Sequence, residues 1–155
     1  MKRHKQLQTL SRQHHNGLLA ALLLKKGIAK GANEKLMSDF ILDFWKQDLE
    51  EHFNSEEEIL LPALVNTTFD NNLNERLLKE HEMLRSFVMS LQNKADKNLV
   101  EEFTKLLEQH IRFEERIYFP GAEKILSEEQ LQQIGERLID HSETNCMNYP
   151  VKFWE

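Results

Sequence analysis

One motif occurs twice and sets the terms for any fold this chain adopts. The first copy reads His52-Phe53-Asn54-Ser55-Glu56-Glu57-Glu58-Ile59-Leu60-Leu61-Pro62, and the second His110-Ile111-Arg112-Phe113-Glu114-Glu115-Arg116-Ile117-Tyr118-Phe119-Pro120. Both follow His-φ-x-x-Glu-Glu-x-Ile-x-φ-Pro, where φ is apolar. Residues four apart share one face of an α-helix, a turn above each other, so each copy aims an imidazole and a carboxylate the same way. Two such helices side by side would bring two nitrogen and two oxygen donors to a shared point. That is a metal site in outline, and it demands a helical scaffold.

Composition is compatible with such a scaffold. Of 155 residues 40% are hydrophobic and 30% charged, with only 5 Gly and 3 Pro, the profile of a helical globular protein rather than a disordered or all-β one. The length suits a single domain, 1–155, with a core bundle over about 5–125 and a short helix and tail over 126–155. A net charge of −6 offers nucleic acid no basic face. The one cysteine, Cys146, excludes an internal disulfide and a thiolate cluster and suits a reducing cytoplasm, the expected location. Lys2, Arg3 and Lys5 ahead of the apolar run Leu18 to Leu24 loosely imitate a signal peptide. The run is too short to span a bilayer, however, and it ends in Lys25-Lys26, so no membrane association is expected.

Apolar spacing predicts five helices and no strand. Leu7, Leu10, His14, Leu18 and Leu22 place the first over about Lys5 to Ile28, ended by Gly27 and Gly31. The second starts near Asn33, a candidate N-cap, and carries Leu36, Phe40, Phe44, Leu49, His52, Glu56 and Ile59 to a weakening or stop at Pro62. Asn72 with Glu75 resembles a capping box for a third helix through Leu73, Leu77, His81, Leu84, Val88 and Leu91. The fourth carries Leu99, Phe103, Leu106, Leu107, His110, Glu114 and Ile117 and closes at Pro120-Gly121. Ser127 with Gln130 opens a short fifth helix to about Asp140. The tail, ending in Phe153-Trp154, reads as irregular, with an aromatic docked on the bundle.

Four long helices with short connections give an up-down-up-down antiparallel four-helix bundle, all-α, with the short C-terminal helix added. In that topology the second and fourth helices run parallel, so the two motif copies sit at matching heights. The first and third helices each add a histidine on the apolar stripe: His14, or alternatively His15, and His81. Four imidazoles and two carboxylates can thus converge.

The plainer reading is that each histidine is a satisfied core residue and each Glu lies on a solvated face. It weakens because the histidines recur in register, and because His52, His81 and His110 each follow a leucine by three, Leu49, Leu78 and Leu107, expected to hold that turn against the core. Burying several ionisable groups together is costly unless they pair or bind a metal. Imidazole and carboxylate donors without thiolates suit iron, manganese or zinc. Six ligands exceed one tetrahedral ion but suit two ions bridged by Glu56 and Glu114. His-Glu-x-x-His is absent, and no Glu stands three before any histidine, which sets aside metalloprotease and ferritin-like patterns.

The ordered set His14, His52-x-x-x-Glu56, His81, His110-x-x-x-Glu114 resembles the hemerythrin-like family, the HHE cation-binding domain, over about Met1 to Ile125. The resemblance implies a four-helix bundle around two non-haem iron ions, oxo- or hydroxo-bridged, with zinc or manganese as substitutes. It implies His14, His52, His81 and His110 as terminal ligands and Glu56 and Glu114 as bridges. The oxygen-carrying members have a further histidine where this chain has Leu77, and they commonly space the last pair by five, which would select Glu115. The four-residue spacing matches the first copy and favours Glu114.

With one imidazole fewer, the chain is closer to members linked to iron sensing, nitric oxide response or iron–sulfur repair. Repair proteins usually carry a cysteine-bearing N-terminal segment, which this sequence does not show. Two functions stay open: a module that binds or senses O₂, nitric oxide or iron, and a di-iron oxidoreductase that is peroxidase-like, reduces nitric oxide or aids iron–sulfur repair. Turnover would require an outside electron donor, because no flavin, haem or iron–sulfur motif accompanies the site, so the binding module is preferred and no residue is assigned a catalytic role. Several neighbours are of interest: Tyr118, as a pocket residue that could hydrogen-bond a ligand or as a rim aromatic, and Glu51 and Glu80, as acceptors for ligand imidazoles or, preferably, solvated surface groups. His4 has no partner in the repeat, and His141 would answer a helix dipole.

Overall fold

The computed structural model describes residues 2–138 and 146–155, and the described residues contain helices and no strand. A 3₁₀ turn, Lys5–Leu7, leads into α1, Gln8–Lys30. Helix α2 runs without a break over residues 34–64, α3 is Asn71–Asn93, α4 spans residues 97–125, and α5 is Glu128–Arg137. The result is the all-α antiparallel bundle expected, with α1 and α3 packed on either side of α4. Asp140 and His141 lie outside the described residues.

The chain signals its helix ends by side-chain chemistry. Asn33 caps α2 by accepting from the N–H groups of Lys35 and Leu36, and Ser127 and Gln130 close a reciprocal capping box on α5. Gly31, not Gly27, ends α1: it turns left-handed at φ 72°, a conformation that favours glycine. The cap of α3 is Asp70, which accepts from Asn72 N–H, rather than Asn72 with Glu75, because an aspartate two residues earlier reaches the free N–H first.

The prolines do not stop their helices. In α2, Glu50–Ser55 is followed by a π-turn, Glu56–Leu60, and then α-helix again over Leu61–Leu64; an earlier π-turn covers Trp45–Leu49. In α4 the π-turn is Glu114–Tyr118, followed by Phe119–Ile125. Pro62 and Pro120 each sit second in the resumed segment, where the missing N–H is tolerated. The wide turn just before each leaves room for the ring, so both helices continue past the position at which the sequence suggested they end.

The core is two apolar layers separated by a polar one. One layer gathers Ala20, Leu24, Phe40, Phe44, Leu84, Phe103 and Leu107, and the tail docks on it through Phe153 and Trp154, whose rings meet Phe40 edge-on. The other gathers Leu10, Leu60, Leu77, Phe113, Tyr118 and Phe119. Between them lies a buried layer of His14, His52, Glu56, His81, His110 and Glu114. Four apolar expectations fail at the edges: Leu36 and Ile117 are exposed, as are Leu22 and Leu78. Leu22 is 48% exposed, because the buried face of α1 passes through Gly17, Ala20, Ala21 and Leu24. Leu78 is 41% exposed, and the buried leucine before His81 is Leu77, four residues earlier rather than three.

Candidate metal centre

All six candidate ligands meet. His14, His52, Glu56 and Glu114 each offer a donor atom within 4.8 Å of the others, and so do Glu56, His81, His110 and Glu114. The two groups share both carboxylates. They form a half-site on α1 and α2, His14 with His52, and a half-site on α3 and α4, His81 with His110. Glu56 turns Oε2 to His52 at 3.3 Å and Oε1 to His81 at 3.1 Å, one oxygen to each half. Glu114 Oε1 lies 2.9 Å from His14 Nε2 and 3.4 Å from His110 Nε2. His15 is exposed on the other side of α1 and takes no part in this cluster.

Each imidazole is held by its far nitrogen. His14 Nδ1 donates to Glu115 Oε2 at 3.0 Å, His52 Nδ1 to Gln13 Oε1 at 2.6 Å, His81 Nδ1 to Glu57 Oε2 at 2.6 Å and His110 Nδ1 to Glu80 Oε1 at 2.7 Å. These acceptors fix a proton on each Nδ1 and leave every Nε2 aimed inward, the arrangement that metal-ligating histidines adopt. The contacts follow a pseudo-twofold pattern. The second Glu of each motif copy, Glu57 and Glu115, backs the lone histidine of a neighbouring helix. The residue preceding each lone histidine, Gln13 and Glu80, backs the motif histidine.

The sequence points to the six candidate ligands and offers Glu80 as an acceptor only as the less favoured alternative, while it assigns this role to none of Gln13, Glu57 and Glu115. Glu80, expected on a solvated surface, serves His110, and Glu115, considered as a ligand, instead accepts from His14 and from the Ser11 hydroxyl at 2.8 Å. The signal for Glu57 and Glu115 was the doubled Glu-Glu. The two glutamates of each pair meet opposite nitrogens of one lone histidine: Glu56 and Glu57 at His81, Glu114 and Glu115 at His14.

The buried donors are under-satisfied by the protein alone. Both oxygens of Glu56, Glu114 Oε2, His81 Nε2 and His110 Nε2 have no hydrogen-bond partner. With the Nδ1 protons committed outward, such an inward set of lone pairs and carboxylates fits a cation.

The protonation pattern agrees. Burial, followed by the proximity of Glu114, pushes the Glu56 carboxyl well above its usual range. Burial also acts on Glu114, but His110 and the hydrogen bonds around it outweigh it and hold that carboxyl well below its usual range. Burial lowers His52 to about 4, whereas for His110 the opposing pull of Glu114 and Glu80 overcomes burial and raises it to about 9. Two adjacent buried carboxylates thus cannot both be bare anions without a positive partner.

The walls are apolar. Phe53 stacks on His81 with ring centroids 3.8 Å apart, and Phe119 stacks on His14 at 5.4 Å. Beside the His14–His52 half-site lies a cavity of about 10 Å³, walled by Gly17, Phe44, Leu49, Leu107 and Ile111. That is space on the scale of one water molecule. A Cβ on Gly17 would come within 2.7 Å of Ile111 Cδ1, so glycine lets α1 and α4 close here. On the opposite side Tyr118 is fully buried and its hydroxyl donates to Asn74 Oδ1 at 2.7 Å, so it is a core residue and not a rim aromatic. At the edge of the fold, His4 caps the first turn through Nδ1 and meets Glu128 through Nε2.

A four-helix bundle with a buried layer of histidines and glutamates defines a class of cation-binding helical proteins. Within that class the chain belongs to the hemerythrin HHE cation-binding domain family, whose model matches residues 4–122. No curated protein and no solved structure gives a significant match. Among the described residues no helix is long and apolar enough to cross a membrane.

Proposed function

We propose that the chain holds two non-haem iron ions on His14, His52, Glu56, His81, His110 and Glu114, and binds a small ligand, O₂ or nitric oxide, there without turnover. The observation that carries this reading is the shared pair of carboxylates: two ligand groups overlap at Glu56 and Glu114, and every imidazole presents Nε2 inward. Bound iron would supply open coordination positions and redox chemistry with diatomic gases. The protein's part is to orient four imidazoles through Glu115, Gln13, Glu57 and Glu80, and to exclude bulk water with Phe53 and Phe119. The small apolar cavity beside His14 and His52 supports a ligand of a few atoms, not an organic substrate.

Anaerobic loading with Fe(II), followed by metal analysis and optical spectra on adding O₂ or nitric oxide, tests the reading. About two irons per chain with a ligand-dependent absorption change are expected. Unchanged iron content in the His52→Ala, His110→Ala variant would overturn the assignment of the site. Steady consumption of peroxide or nitric oxide with a reductant would instead favour an oxidoreductase supplied by an outside electron donor.

A further inference from the structure

The acceptors of the four imidazole Nδ1 atoms correspond between the two half-sites, with one difference in kind among them. Glu115 backs His14 and Glu57 backs His81, carboxylate against carboxylate. For the motif histidines, Glu80 backs His110 at 2.7 Å, whereas Gln13 backs His52 at 2.6 Å. Gln13 and Glu80 occupy the same place, directly before the lone histidine of their helix. Both hold the ring in the same tautomer, but only Glu80 brings a negative charge. A carboxylate accepting from Nδ1–H makes the opposite nitrogen a stronger donor than an amide does.

Two arginines oppose this difference: Arg76 Nε lies 3.1 Å from Glu80 Oε2, and Arg85 Nη1 lies 2.7 Å from Glu57 Oε2. They sit one layer farther out, on side chains 47% and 31% exposed, where solvent and salt screen them. Arg76 also uses a different oxygen of Glu80 from the one His110 uses, so it does not compete for that bond. The directly bonded, 13% exposed carboxylate dominates.

We infer that the two half-sites bind divalent cations unequally. The His81–His110 half-site is the tight one, the His14–His52 half-site is the labile one, and Gln13 is the positioning residue that sets the gap. The inference rests on the two-metal reading above and deepens it.

The test uses Co(II) titration of the metal-free full chain under anaerobic conditions, followed by absorption and calorimetry. The His14→Ala, His52→Ala variant keeps the tight half-site and should bind one Co(II) about ten-fold more strongly than the His81→Ala, His110→Ala variant. Adding Gln13→Glu to the latter should raise its affinity about ten-fold, and Glu80→Gln in the former should lower its affinity by a similar factor. A purely structural glutamine would give no gain on becoming glutamate. Should the double variants not fold, Gln13→Glu alone in the otherwise unaltered chain must narrow the gap between the two Co(II) steps. Equal or reversed half-site affinities, or a Gln13→Glu change that leaves or weakens binding, would overturn the inference while two bound ions per chain kept the two-metal reading standing. Fewer than two ions on the unaltered chain would overturn both.

Discussion

His14 Nε2 and His52 Nε2 lie 3.1 Å apart, with the Nδ1–H of each ring already committed to another residue. In the neutral rings two lone pairs therefore face each other inside the core, an arrangement that either a second proton or a cation relieves. Glu114 and Glu115 raise His14 against burial, so without metal a proton on its Nε2 relieves the pair, and a bound cation would replace that proton while also relieving the crowded carboxylates of Glu56 and Glu114.

Metal should accordingly stabilise the fold strongly. At a free metal concentration about 100 times the dissociation constant, linkage gives roughly 2.7 kcal/mol per site, which raises the Tm by about 5–10 °C for a domain of this size. Thermal unfolding with and without Co(II) or Fe(II), and again after adding a chelator, measures it. A Tm indifferent to metal would remove the basis for reading the polar layer as a metal centre.

The metal-free protein should also show a stability maximum in pH. Burial holds His52 down at about 4, below its ordinary 6.5, so the unfolded chain binds the extra proton and stability is lost as pH falls from 6.5 towards 4. His110 is raised to about 9 by Glu114 and Glu80 against burial, so its contribution is complete below 6.5 and is lost as pH rises through 9. Metal must displace the protons of His110 and Glu56, so metal affinity should climb with pH up to about 9. Tm profiles of chelator-treated and metal-loaded protein between pH 4 and 10 check both signs. A flat metal-free profile between 6.5 and 9 would contradict the assignment to His110.

Much of this architecture was legible in the sequence, because it rests on periods that one dimension preserves. His14, His52, Glu56, His81, His110 and Glu114 lie at helical spacing on faces that the fold buries together, and Asn33 and Ser127 cap by contacts within a few residues. What was hidden depends on the phase of a helix after a local change of pitch or on a neighbour distant in the chain. The π-turns at Glu56 and Glu114 shift the faces that follow them, so the helix expected to weaken or stop at Pro62 and the one expected to close at Pro120 both run on. Glu80 serves His110 across a helix interface, a pairing no local pattern encodes. Leu78 and Leu77 differ by one residue, enough at 100° per step to exchange surface for core.

Tyr118→Phe should weaken the fold without emptying the site. The hydroxyl donates to Asn74 Oδ1 inside the core, and both residues are buried. Removing it leaves the Asn74 oxygen unpaired, a loss of about 1–3 kcal/mol. Chemical denaturation should show that loss while the metal content per chain stays at its unaltered value. Asn74→Ala in combination should lose less than the two single losses summed, as expected for partners in one bond. Loss of metal in Tyr118→Phe would show instead that the phenol is part of the ligand environment.

Glu57 separates charge from orientation at the centre. Its Oε2 accepts from His81 Nδ1 at 2.6 Å and from Arg85 Nη1 at 2.7 Å. Burial raises its carboxyl, but these two partners prevail and hold it below the usual range, so it is ionised at neutral pH. Glu57→Gln retains a carbonyl acceptor for the Nδ1–H and loses only the charge, while Glu57→Ala loses both and frees the ring to turn. Metal affinity should therefore fall in the order Glu57, Gln, Ala, by about ten-fold at the first step and towards 100-fold at the second. Helical content should be preserved throughout, because position 57 contributes no apolar burial to either core layer. Competition against a calibrated chelator measures the series. An affinity in Glu57→Gln equal to that of the unaltered protein would show that the carboxylate merely aims His81 and adds nothing to its strength as a donor.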